Sequence, residues 1–478
     1  MISGLEFTYN TKHKTMKKTL ILLSAIAISM WTSAQEITPQ VLQNLQNSYQ
    51  EDAQTKAIRN AIGGTDLKVL ALNQDNLDNL DFHFSNAVYK LPKKDITNQK
   101  KSGRCWLFCT LNVIREDMCK RHNLKSFEFS ENYLFFYDQL EKSNLYLEQI
   151  IATRNLKEGS REVDYLLHHP VSDGGSFVGA VDLISKYGAV PAECMHETTV
   201  ANATASYKPL LQSKLREFAI ALRDNTKATD KQLRAIKEKQ LEQIYRLLVL
   251  CYGVPPTEFT WARYDKKDKL VSKETYTPKS FAEQFVRAEM LTDYVMFMND
   301  PTRAYYKVYD AQEDRHVYEG TNWCYINLPV EEIQQMCIAS IKDSVAIYTG
   351  SDVGKDRNSA NGYLSTDNYN YEQLLGINFP MDKAARIRTF SSYSTHAMAL
   401  VAVDLDKEGK PTKWLLENSW GDKSGWKGYF MLDDGWFQNY IFRFVIERKY
   451  VPEKYMEMLK TKHIMIPAWD PMAQGEID

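Results

Sequence analysis

The 478-residue sequence has little with which to crosslink itself: seven cysteines, at 105, 109, 119, 194, 251, 324 and 337, and no CxxC pair among them. So low a count argues against a disulfide scaffold, the missing CxxC argues against a zinc ribbon, and the odd number leaves at least one thiol free within a chain. Charge of one sign is missing as well. Lys+Arg 59 against Asp+Glu 61 gives a formal net charge of -2, which provides no global field to attract nucleic acid or an anionic membrane. No acidic or basic tail stands out, and internal repeats and low-complexity stretches are absent. No apolar run reaches the ~20 residues that a membrane-spanning helix needs. What remains, 44% hydrophobic and 25% charged residues, is the composition of a globular chain with roughly three domains' worth of length.

The N-terminus carries one targeting pattern. Lys12, Lys14, Lys17 and Lys18 precede the apolar run Leu20 to Met30, and the small residues Thr32, Ser33 and Ala34 follow before Gln35. Charged, then apolar, then small is the order of a secretory signal peptide, so residues 1–34 are expected to be a leader, with Met1 or Met16 as its start. That order predicts export, into a periplasm by expectation, with no membrane span once the leader is removed.

Further along, Leu107, Leu111 and Ile114, with Phe108 beside them, recur at helical spacing, which puts Cys105 at the start of a helix. Residues 206–250 hold two such patterns separated by the polar stretch Arg223 to Asp230, which predicts a helical hairpin. The last third changes period. His396–Val403 and Trp414–Glu417 read as strands around a turn at Asp404 to Pro411, and 428–432 and 440–446 continue the β pattern. The expected class is α+β, helical early and sheet-rich late.

Four pieces of this sequence bear on chemistry. In Gln99-Lys-Lys-Ser-Gly-Arg-Cys105 a cysteine opens a helix, where the positive end of the dipole favours the nucleophilic thiolate. Gln99 on the lead-in is placed to aim its amide N–H at an oxyanion, with the backbone N–H of Cys105 as second donor. His396 begins one strand and Asn418 ends the next, so a hairpin brings them side by side and lets the asparagine hold the imidazole in one tautomer. Trp420 is placed to cover that contact from water. Asp173-Gly-Gly-Ser176 supplies Gly174 and Gly175, small enough for a substrate backbone to approach as an added strand.

Gln99 through Phe108, His396, Asn418-Ser-Trp-Gly421 and Gly425-Trp-Lys-Gly-Tyr429 resemble the papain superfamily. The similarity is closer to its bleomycin hydrolase/aminopeptidase C family, through Gly253-Val-Pro-Pro-Thr-Glu-Phe-Thr-Trp261, Ser351-Asp-Val-Gly-Lys355 and Ile466-Pro-Ala-Trp-Asp-Pro-Met472. It runs from about residue 75 to the end. Cys105 and His396 lie 291 residues apart, against roughly 130–150 in compact papain-type chains, so inserted structure is expected between them.

The resemblance implies a two-lobed papain-like core with helical and hook-like insertions, a homohexameric ring, and a thiol aminopeptidase acting on peptides through a Cys105 thioester. It also implies a C-terminal arm lying in the cleft, which would bring the carboxylates of Asp478 to the α-ammonium of a peptide. The corresponding divisions are a leader at 1–34, a helical lobe with Cys105 at 35–199, an insertion at 200–340, a β-rich lobe with His396 and Asn418 at 341–450, and the arm at 451–478. No cofactor, metal or nucleic-acid partner is expected. Cys109 reads as packing, Asp404 and Asp406 as a turn rather than a calcium loop, and His168-His169 and Cys194 as local structure. Two other functions stay open at this point: an endopeptidase with a displaced tail, and a catalytically idle assembly that binds peptides or nucleic acid.

Overall fold

The computed structural model describes residues 36–78, 80–87 and 96–473. The expected leader and the terminal Asp478 lie outside these residues. The chain divides into two units. The smaller holds the described residues up to Leu72, together with Gln373–Leu375; its helices include Pro39–Ser48 and Ala53–Ile62, started by the side chains of Thr38 and Asp52. All that follows concerns the larger unit.

At its centre is helix α1 (Cys105–Arg121). The helix expected from the apolar spacing is present and is buried nearly all round, including Thr110, Asn112, Arg115 and Glu116. Polar groups survive there only because each finds a partner. Asn112 Nδ2 donates to Thr97 Oγ1 at 2.9 Å, and Arg115 Nη2 to Glu417 Oε1 at 3.2 Å. Burial remains costly at Glu116, whose carboxyl is pushed up to about 8 despite Lys120 nearby.

One side of α1 packs against helices α2 (Glu131–Ala152) and α3 (Phe177–Tyr187). Next come α4 (Lys208–Asp224) and α5 (Asp230–Tyr252), the predicted hairpin. A reciprocal Thr229–Gln232 cap starts α5, which satisfies two backbone groups the helix end would otherwise orphan. Both helices lie on α2 and bury Leu211, Leu215, Phe218 and Leu222 from one, Leu233, Ile244 and Leu248 from the other. These apolar residues are therefore used inside the chain, because α2 offers them a buried surface.

The other side of α1 meets a sheet that has twelve strands among the described residues. Its main strands are β1 (Tyr294–Met298), β2 (Lys307–Ala311), β3 (Cys324–Asn327), β4 (Ile347–Ser351), β5 (His396–Leu405), β6 (Pro411–Glu417), β7 (Tyr429–Asp433), β8 (Ile441–Glu447) and β9 (Ile464–Ile466). They lie in the order β9-β2-β3-β1-β8-β4-β5-β6-β7. β5 is antiparallel to both neighbours, with His396 opposite Ser351 and Ala399 opposite Glu417. The turn between β5 and β6 is closed by Asp406 Oδ1, which accepts the backbone N–H of Glu408 and Lys410. This is turn geometry, as expected, in place of a calcium loop. β9 pairs in parallel with β2 at the far edge and lies within the C-terminal arm.

Candidate active site

The geometry begins at the hinge between lead-in and sheet. Gln99 N–H donates to Ser419 O at 2.8 Å and Gly421 N–H to Thr97 O at 2.9 Å, so residues 97–99 run alongside 418–421. Gly421 takes φ +78, and a Cβ there would stand 2.6 Å from Asn98 Nδ2, so only glycine fits. The same contact fixes the Gln99 amide. Its Oε1 accepts from Ser419 Oγ at 2.7 Å and its Nε2 donates to Ser102 O at 2.6 Å. A carboxamide nitrogen has two N–H groups, and holding one on Ser102 sets the direction of the other.

His396 opens β5 and is completely buried. Its Nε2 lies 2.8 Å from Asn418 Oδ1, and the same oxygen accepts the backbone N–H of Ser419 at 2.8 Å. Turning the amide over would set Nδ2 against that N–H, donor against donor, so Ser419 fixes the orientation. An oxygen can only accept, so Nε2 carries a proton and Nδ1 is left as the nitrogen for proton exchange. Trp420 lies over the ring at 4.7 Å between centroids, with the Arg357 guanidinium 4.9 Å from its own centroid. The expected pairing and its tryptophan cover are both present in this geometry.

Cys105 is the first residue of α1 and wholly buried, and α1 packs directly on β5, which His396 begins. The residue before it is pinned: Arg104 meets Glu197 with two nitrogens at 2.9 and 2.7 Å, and its Nε donates to Ser102 Oγ at 3.0 Å. Gly103 N–H reaches Asp173 Oδ2 at 3.2 Å. Burial alone would raise the Asp173 carboxyl, but hydrogen bonds from Lys208 and Thr204 outweigh it and hold it low.

The Peptidase C1-like family profile matches residues 36–473. The chain belongs to the Peptidase C1-like family. Within it, the chain is 38% identical over 429 residues to "Aminopeptidase C" of Streptococcus thermophilus, an alignment covering 89% of this chain and 95% of that one. It is 37% identical to human "Bleomycin hydrolase", covering 85% and 91%. The crystal structure of PepW from Lactobacillus rhamnosis superposes with TM-score 0.87 at 34% identity, covering 92% of this chain and 99% of that one. This Peptidase C1-like chain is thus a cysteine peptidase of the bleomycin hydrolase/aminopeptidase C group, with a papain-like α+β fold.

Gly175 has a further reason to be small in this Peptidase C1-like chain. A Cβ on Gly175 would fall 2.3 Å from His316 Cε1 and 2.6 Å from the Trp106 ring. Trp106 donates its indole N–H to Asp173 O at 3.0 Å and meets His316 edge-on at 4.7 Å. His316 Nδ1 lies 2.6 Å from Asp138 Oδ1, and Lys142 bridges Asp138 and the Gly174 carbonyl. Burial, then the Lys142 charge, pushes the His316 imidazole down, while the Asp138 carboxylate beside Nδ1 acts the other way. For Asp138 burial acts upward, but Lys142 and His316 outweigh it and keep the carboxylate ionised.

Sequence reasoning missed Asp138, Lys142, Glu197 and His316. Asp138 and His316 stand 178 residues apart and no local pattern links them; the helical spacing of Asp138 and Lys142 was the one available signal.

Both glycines line a cleft of about 460 Å³, and so do Ala468, Trp469 and Ala473 of the arm. The arm is held by β9, by Arg303 on Asp470 at 2.6 Å, and by Arg443 Nη2 on Met472 O at 3.2 Å. Ile466 and Met472 are buried, whereas Ile464 and Met465 stay exposed because β9 is an edge strand. Cys109 is core packing, as expected.

Proposed function

We propose that this cysteine peptidase removes single residues from the N-termini of peptides. In this reading His396 Nδ1 takes the Cys105 proton, and the thiolate attacks the first peptide carbonyl. The resulting oxyanion is met by the Cys105 backbone N–H and the Gln99 amide. The imidazolium returns its proton to the leaving amine, a thioester remains on Cys105, and water activated at Nδ1 hydrolyses it. The observation that carries the reading is the His396 Nε2–Asn418 Oδ1 contact at 2.8 Å, which fixes the tautomer this proton traffic requires.

The exopeptidase preference is supported by the arm. Ala473 lines the cleft with Gly174 and Gly175, and five further residues reach at most about 17 Å. In this reading the Asp478 carboxylates meet a substrate ammonium and obstruct longer chains. Export to a periplasm rests on residues 1–34 alone. A homohexamer is supported by apolar side chains left outside on the insertion, Leu210, Ile220, Leu250 and Val254. The test compares an aminoacyl-coumarin with its N-acetylated form. Iodoacetamide-sensitive hydrolysis of the free amine alone supports the reading; equal hydrolysis of both makes the chain an endopeptidase.

A further inference from the structure

We propose that Asp310, Cys324 and His463 form a three-ligand site for a zinc-class divalent cation at the root of the C-terminal arm. Cys324 Sγ lies 3.5 Å from His463 Nδ1, and His463 Nδ1 lies 3.8 Å from Asp310 Oδ2. All three ligand atoms fall within 4.8 Å of one another. Zinc bonds of about 2.3 Å to sulfur and 2.0–2.2 Å to nitrogen and oxygen, at tetrahedral angles, give ligand separations of about 3.4–3.6 Å. The Cys–His edge already has that length, and the others need a contraction that two half-buried side chains make by rotating.

Each ligand is also aimed. Asp310 and Cys324 are directly opposed partners in the β2–β3 ladder, so backbone hydrogen bonds fix their spacing on one face. Asp310 Oδ1 accepts from Asn322 Nδ2 at 3.0 Å, which turns Oδ2 toward the histidine. His463 Nε2 lies 3.1 Å from Leu459 O. A carbonyl requires the proton on Nε2, so the Nδ1 lone pair faces the thiol and the carboxylate. Metal-bound histidines and carboxylates are oriented by outer partners of this kind. A thiolate with an imidazole selects zinc, cobalt or cadmium over calcium and magnesium, and three protein ligands leave one position for water. None of the three belongs to the proposed catalytic set, so the inference stands apart from the peptidase reading.

His463 immediately precedes β9, in which Met465 is the parallel partner of Asp310. A bound cation would therefore tie the arm at His463 to β2 and β3, upstream of the segment that lines the cleft.

The experiment uses the full-length chain with Cys105→Ser, which removes the thiol of the catalytic pair, stripped with chelator and titrated with Co²⁺. The expected result is a thiolate-to-cobalt charge-transfer band that saturates at one ion per chain and is displaced by Zn²⁺. His463→Gln or Cys324→Ser should abolish it. Asn322→Ala, which touches no ligand atom, should weaken binding about 10–100-fold. Far-UV circular dichroism checks each variant, and half-exposed His463 is the position least able to disturb the fold. No band up to millimolar Co²⁺, or a band that persists in His463→Gln, would overturn the site and leave a plain S–H···N contact.

Discussion

Asn418 has one side-chain oxygen and uses it twice, on His396 Nε2 and on Ser419 N–H. Replacing it by alanine removes the orienting contact but leaves thiol and imidazole in place. We therefore expect Asn418→Ala to lower kcat/KM by roughly 10²-fold with a broadened pH profile, while Cys105→Ser falls to background with an unchanged unfolding midpoint. Equal, complete loss in both would remove the orienting role. Glu116 gives a second residue-scale expectation. Burial raises its carboxyl to about 8, so between about pH 4.5 and 8 the folded chain binds a proton that the unfolded chain has released, and stability is lost as pH rises across that window. The urea midpoint of Glu116→Gln should accordingly fall less than that of the parent chain from pH 5 to pH 8. These residues were unequally legible. Asn418 and His396 sit at matching ends of two strands joined by a recognisable turn, so local pattern sufficed. Glu116 reads as an exposed helical charge until tertiary packing covers it on every side.

The elements that position the site come from both ends of the chain. Helix α1, strand β5 and the α4–α5 hairpin were readable because each carries a clean period and a clear stop signal. The contacts between them were not. Gly175 looked like a place for substrate to approach, yet its missing side chain is filled by Trp106 and by His316 from far along the chain. We expect Gly175→Ala to cost about 1–3 kcal/mol, as forced overpacking does, measured as a lower denaturant midpoint. A midpoint within error of the parent would mean that the Trp106–His316 packing yields without strain. The β2–β3 ladder taught the same lesson. Asp310, Cys324 and His463 are unremarkable in sequence, and only strand register assembles them.

For the whole molecule, the arm is the feature with the widest reach. Deleting Gln474 to Asp478 should lower turnover of free-amine substrates and raise that of N-blocked ones; an unchanged ratio would remove the tail from specificity. Light scattering at micromolar concentration should give a species of about six chains, and a monomer there would refute the ring. The pairing of distant segments has one more consequence, in time. Arg115 meets Glu417 across 302 residues, and Gln99 meets Ser419 across 320. At the 5–20 residues per second of synthesis, Arg115 emerges roughly 15–60 s before the carboxylate that neutralises it. Throughout that interval the contacts that Glu417 and Ser419 make with α1 and the lead-in cannot form. Ribosome-stalled chains ending before residue 415 should therefore be cut by protease at sites the finished protein hides.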